Sequence, residues 1–188
     1  MPSVDLEISS VISENFVGSS AGRMASDDGA QATAIASQVA VLGLDDLPSN
    51  ADTITSVTIH IEAHISPSKT IANIDLKLLN SSGTMLREYD RNIDNPPGST
   101  TVWTSDTWTD YISGGATPSW NTSVVNDMRL QVKHAGNVSG TPSILADYAY
   151  VRVVYTVAAT PIPTYDTTVN NTHITSGNIN VTGGNIFI

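Results

Sequence analysis

Residues 145–157 read LADYAYVRVVYTV. The stretch contains no glycine or proline and is dense in β-branched and aromatic residues, which suit a packed, pleated strand. Strict alternation puts Ala149, Val151, Val153, Tyr155 and Val157 on one face. Ala146, Tyr148, Tyr150 and Val154 fall on the other, broken by Arg152. A strand apolar on both faces needs neighbours on both sides, so it belongs inside a sheet. Asp147 interrupts the first face. A buried carboxylate needs hydrogen bonds or a cation, and a structural pairing with Arg152 or Arg129 is expected.

Upstream, the same period recurs. SVTIHIEAHI at 56–65 alternates cleanly, with Val57, Ile59, Ile61, Ala63 and Ile65 facing one way. Ser56, Thr58, His60, Glu62 and His64 face the other, the signature of a half-buried antiparallel strand. Val4, Leu6 and Ile8 make a short amphipathic strand near the start, and SQVAVLGL at 37–44 makes another. NIDLKLLN at 73–80 repeats the alternation and runs into Ser81-Ser82-Gly83, a hairpin-type turn. The loop DNPPGS ends the next strand, since two prolines cannot sit in a sheet interior. Residues 121–126 suit one helical turn, and Met128, Leu130 and Val132 resume the alternation. Short strands at regular spacing, punctuated by turn residues, predict an all-β antiparallel sandwich, jelly-roll-like, with an extended N-terminal strand and a C-terminal β tail.

The tail is different in character. Residues 159–188 hold one charged side chain, Asp166. ITSGNIN at 174–180 is followed by VTGGNIF at 181–187, a sevenfold period that aligns Ile174, Val181 and Ile188, and Ile179 with Ile186. Two short β segments cannot bury these isoleucines alone. Ile174, Ile179, Val181, Ile186, Phe187 and Ile188 are therefore expected to contact a sister subunit or another protein. The organisation expected is an N-terminal strand or arm at 1–17, a sandwich at 18–158 and the tail at 159–188.

Composition excludes several roles. Eighteen acidic against 8 basic residues give a formal charge of −10, with no cysteine for disulfides or thiolate metal sites. Clustered Lys and Arg are what phosphate binding requires, so neither nucleic acid nor an anionic membrane is expected as partner. MPSVDLEISSV lacks the features of a secretory signal, and no apolar run reaches the length of a membrane span. Either a leader has been removed or the protein is expected to be made and used without export by that route.

Several residue groups that suit a site also suit plainer roles. Asp27, Asp28, Asp45 and Asp46 could hold calcium in carboxylate-rich loops. Their spacing fits no EF-hand pattern, and aspartates also cap and solvate turns. His60 and His64 share a strand face about 13 Å apart, too far for one metal, and are expected at the solvent or at a subunit contact. No nucleophile or second carboxylate completes a catalytic set with Glu62. No cofactor is implied. Trp120, beside a turn and before a strand, is expected in the core. Trp103, Trp108 and Tyr111 suit either a sugar-stacking platform or packing.

ASDDGAQATA at 25–34, a strand ending in LP followed by DTITSVTIHIEA at 52–63, PSWNTSVVNDMRLQV at 118–132 and ADYAYVRVVYT at 146–156 together resemble a known domain. It is the jelly-roll-like β-sandwich of bacteriophage structural proteins and some bacterial surface proteins, and the likeness spans roughly residues 18–158. The overall plan also resembles phage capsid decoration (cement) proteins. The resemblance implies a sandwich in a virion or surface setting and carries over no catalytic residues.

The function expected is that of a non-enzymatic virion structural protein. A homo-oligomer, expected as a trimer, would decorate the capsid surface after assembly in the host cytoplasm, touching the major capsid protein or another virion protein. The alternative is a carbohydrate-binding module of a phage fibre or bacterial surface protein.

Overall fold

A computed structural model describes residues 1–16, 20–66, 71–93, 101–139 and 143–159. The tail contacts expected at 174–188 lie outside these residues. Strands β1 (Ser3–Glu14), β2 (Ala32–Ala34), β3 (Val39–Leu44), β4 (Ala51–Ser66) and β5 (Ile71–Leu79) come first. They are followed by β6 (Met85–Ile93), β7 (Thr101–Thr104), a one-turn helix α1 (Thr122–Asn126), β8 (Arg129–Ser139) and β9 (Ser143–Val157). Among the described residues every strand pairing is antiparallel. The protein is an all-β antiparallel sandwich, as the alternation predicts.

One sheet runs β7-β4-β9, with β2 and the first half of β1 along the far edge of β9; the other runs β1-β3-β8-β5-β6. β1 belongs to both. Residues 3–7 pair with β9, and residues 8–14 pair with β3 across two register shifts. A strand that changes sheets must bend, and bulges supply the bend. Leu6, Ile59, Ile61, Val151 and Val153 meet Leu42, Ile74, Leu76 and Leu130 in one buried cluster. Each fully buried aliphatic side chain there contributes about 1.5–3 kcal/mol. β4 buries Val57, Ile59, Ile61, Ala63 and Ile65, the face its alternation marks out.

The deciding strand departs from simple alternation at one residue. Glu62 pairs with Tyr148, but the next residue, Ala63, pairs with Ala146, so Asp147 is the extra residue of a bulge. The pleat restarts out of phase, and Ile144 and Ala146 face the core together with Ala149, Val151 and Val153. Ala146 thus lies on the opposite face from the one alternation assigns it. Asp147 is buried, and its Oδ1 has no hydrogen-bond partner among the described residues. Its neighbours are Asp27, Asp28, His64 and the backbone N–H of Gly29. The expected partners lie elsewhere. Arg152 grips Asp5 through two bonds of 2.7 and 2.8 Å, and Arg129 lies on β8 in the other sheet.

Burial, aided by the nearby Asp27 and Asp28, pushes the Asp147 carboxyl above the usual carboxylate range. A group whose folded pKa is raised lowers stability at neutral pH, and that loss is recovered as pH falls through the folded pKa. Asp147→Asn keeps an acceptor for the Gly29 N–H. The variant should therefore denature at higher urea than wild type at pH 7, with the gap closing on acidification. Wild type and variant melting together at pH 7 would refute this.

Candidate ligand-binding cleft

The hairpin joining β5 to β6 aligns the polar residues of both strands. Asn80 Oδ1 accepts from the N–H groups of Ser82 and Thr84 at 3.0 and 2.8 Å, and Gly83 takes the positive φ of 84° that the turn requires. The register set there places Asn73 opposite Asn92, Asp75 opposite Asp90 and Lys77 opposite Glu88. Ile74 and Leu76, alternating with them, are buried.

A cavity of about 550 Å³ opens over this ladder. Asn73, Asp75, Asp90 and Asn92 line it, together with Arg91, Trp103 on β7 and Ala135 on β8. Trp103 is half-buried and faces Ile61 across the β4–β7 pairing. The Arg91 guanidinium carbon lies 5.2 Å from its ring centroid, a cation–π contact. Among the described residues, three that line the cleft carry a buried polar atom without a hydrogen-bond partner: Asn73 Oδ1, Asp75 Oδ1 and Trp103 Nε1. Such atoms need a partner, from water or from a ligand.

Charge is concentrated at one end. Asp75 is only 6% exposed, and burial raises its pKa to about 6 against the pull of Lys77, with Asp90 and Glu88 adding to the rise. Lys77 bridges to Glu88 and lies 3.4 Å from Asp75 Oδ2. Its own pKa is held up, chiefly by Glu88. Oxygens of Asp75, Glu88 and Asp90 all come within 4.8 Å of one another.

Of the three aromatics singled out in the sequence, Trp103 alone lines the cleft. Trp108 belongs to the core, pairing its backbone with Val57, and Tyr111 packs on Trp120 with ring centroids 5.2 Å apart. Trp120 is in the core, as expected. His60 is half-buried, stacked on Tyr150 at 4.6 Å and within hydrogen-bond distance of Thr104 Oγ1. Of the two positions expected for His64, solvent or a subunit contact, the first does not hold. It is buried, its Nδ1 has no hydrogen-bond partner among the described residues, and desolvation lowers its pKa against the pull of Asp147. Pairing of Ala25 with Tyr148 and Ala32 with Ala146 runs the 25–32 segment along β9 and brings Asp27 and Asp28 towards Asp147. Asp45 follows β3, where its N–H donates to the Glu7 carbonyl.

The sequence marks the cleft weakly. Asn73, Asp75 and Lys77 read as an ordinary solvated strand face, and only the two Asp and two Asn of DRNIDN at 90–95 hint at more.

No family model matches the sequence, and no curated protein matches it. Three solved structures share a loose likeness. An arabinose-bound α-L-arabinofuranosidase is 10% identical at a TM-score of 0.40, over 80% of this chain and 25% of its own. Infectious bursal disease virus, Gt strain, is 12% identical at 0.34, over 82% and 33%. A structure described as CBM4 is 13% identical at 0.36, over 79% and 97%. The chain thus spans a quarter to a third of the first two. Likenesses this distant bear on neither the activity nor the ligand of this protein.

Proposed function

We propose that this protein is a non-enzymatic binding module of a virion or cell-surface assembly, and that its sandwich captures carbohydrate in the Trp103 cleft. The observation that carries this is the pairing of an aromatic ring with buried, unsatisfied donors and acceptors in one cavity. Sugars present apolar C–H faces and fixed hydroxyls, and so match an aromatic wall rimmed by amides and carboxylates. The test is a glycan array probed with the purified chain. Saturable binding to a defined sugar class supports the proposal; silence across the array counts against it.

A second reading, a trimeric capsid decoration protein, rests on the sevenfold repeat at 174–188 and on the second half of β1. Residues 9–14 of that strand are exposed, including Val11 and Ile12. Exposed strands of this kind accept added strands from partners, and many such contacts over a symmetric shell give avidity. In this reading the partner is the major capsid protein or another virion protein. Removing residues 160–188 should then reduce the oligomer to monomer by light scattering and abolish particle attachment. Unchanged mass and attachment would dismiss it.

A further inference from the structure

We propose that Asp75, Glu88 and Asp90 hold a divalent cation of the calcium class at the acidic end of the cleft. Three carboxylates lie with oxygens within 4.8 Å of one another, the spacing that ligands around one ion require. Proximity of acidic groups alone would not single out an ion site. The second observation is Asp75 itself, 6% exposed and lining the cavity, whose Oδ1 has no hydrogen-bond partner among the described residues. A buried carboxylate oxygen left open is costly, and a cation in the cavity supplies what is missing.

The strand register strengthens the case. Asp75 and Asp90 sit directly opposite each other on β5 and β6, where like charges oppose pairing. Lys77 is the cation already present, bridging Asp75 and Glu88. Its single charge against three carboxylates leaves two negative charges uncompensated, which a divalent ion matches. The donors are all oxygen, without imidazole or thiolate, which favours calcium over zinc. Asn73 and Asn92 line the same cavity and bring amide oxygens of the kind calcium accepts. Three side chains fall short of calcium's usual six to eight oxygens. The remaining positions are open to water or, if the carbohydrate reading above holds, to paired sugar hydroxyls. That last step rests on the reading; the ion site does not.

The test uses the full chain stripped with chelator and titrated with calcium chloride, followed by calorimetry and by thermal melting. A saturable one-to-one heat with Kd of about 1 mM or tighter, and a melting temperature raised by calcium, are expected. Glu88→Gln and Asp90→Asn alter exposed side chains, so both should fold and each should weaken calcium at least about tenfold, a loss of about 1.4 kcal/mol. Lys77→Met removes the competing ammonium and should tighten calcium several-fold. Terbium, a calcium substitute, should luminesce on tryptophan excitation, with the signal reduced in Trp103→Phe. Absence of heat and of any melting shift at about 10 mM calcium, or undiminished affinity in both carboxylate variants, would overturn the proposal. Calcium binding with a silent glycan array upholds the ion site and removes the carbohydrate reading. Sugar capture without calcium heat does the opposite.

Discussion

Trp120→Ala is expected to cost about 3–5 kcal/mol of folding stability, the range for emptying a large aromatic site in a packed core. Trp120 is 3% exposed and belongs to the buried cluster. Its indole N–H donates to the Trp108 carbonyl at 3.1 Å, and Tyr111 leans on its ring. The ring therefore ties the long connection between β7 and α1 to the sheet, where Trp108 and Val57 exchange backbone bonds of 2.9 Å. Trp120→Phe separates packing from hydrogen bonding. The Trp108 carbonyl keeps the Val57 N–H when the indole is lost, so nothing buried is orphaned, and the phenyl variant should lose only about 1–2 kcal/mol. Urea denaturation of the three proteins gives the comparison. Equal losses in both variants would show that the bond, not the packing, anchors the connection.

By contrast, the most visible charged contact should matter little. Arg152 and Asp5 pair with good geometry, and the pairing lowers the Asp5 pKa, chiefly through the hydrogen bond. Their side chains are 43% and 36% exposed, so water screens the pair and its worth is about 0–1 kcal/mol. The core, not the surface ion pairs, sets the stability of this sandwich.

The sandwich was legible in the sequence because a two-residue period survives wherever one face is buried, as β4 shows. The helical turn was legible for a local reason too. Asn121 caps α1 by accepting the Val124 N–H, chemistry contained in four residues. Legibility failed where the period broke or where partners came from afar. The bulge at Asp147 shifts the phase of β9 without any glycine to mark it, and so reverses the face of Ala146. β2 is three residues of alanine and threonine, visible only through its pairing with β9. β1 reads as a short strand because its second half is exposed and keeps no apolar alternation. The cleft is the extreme case. Its walls come from β5, β6, β7 and β8, and nothing in Asn73 or Asp75 announces that Trp103 and Ala135 will stand beside them.

Trp103→Ala is expected to weaken carbohydrate capture at least about 30-fold, the equivalent of about 2 kcal/mol for an aromatic anchor at a binding site. The ring is the largest apolar element among the cleft residues; the others named there are amides, carboxylates, Ile74, Ala135 and the Arg91 guanidinium. Arg91 would also lose the ring it stacks on. Trp103→Phe keeps an aromatic face but removes the unpartnered Nε1 donor, so its affinity should fall between those of wild type and the alanine variant. Because Trp103 is only half-buried in a four-residue edge strand, both variants should keep the wild-type β circular dichroism, with the alanine form melting a few degrees lower. Isothermal titration with the best sugar from the array decides the matter. If Trp103→Ala binds as wild type does while remaining folded, the ring is packing alone and the cleft is not where sugar sits. If phenylalanine restores most of the affinity, stacking outweighs the indole hydrogen bond in this site.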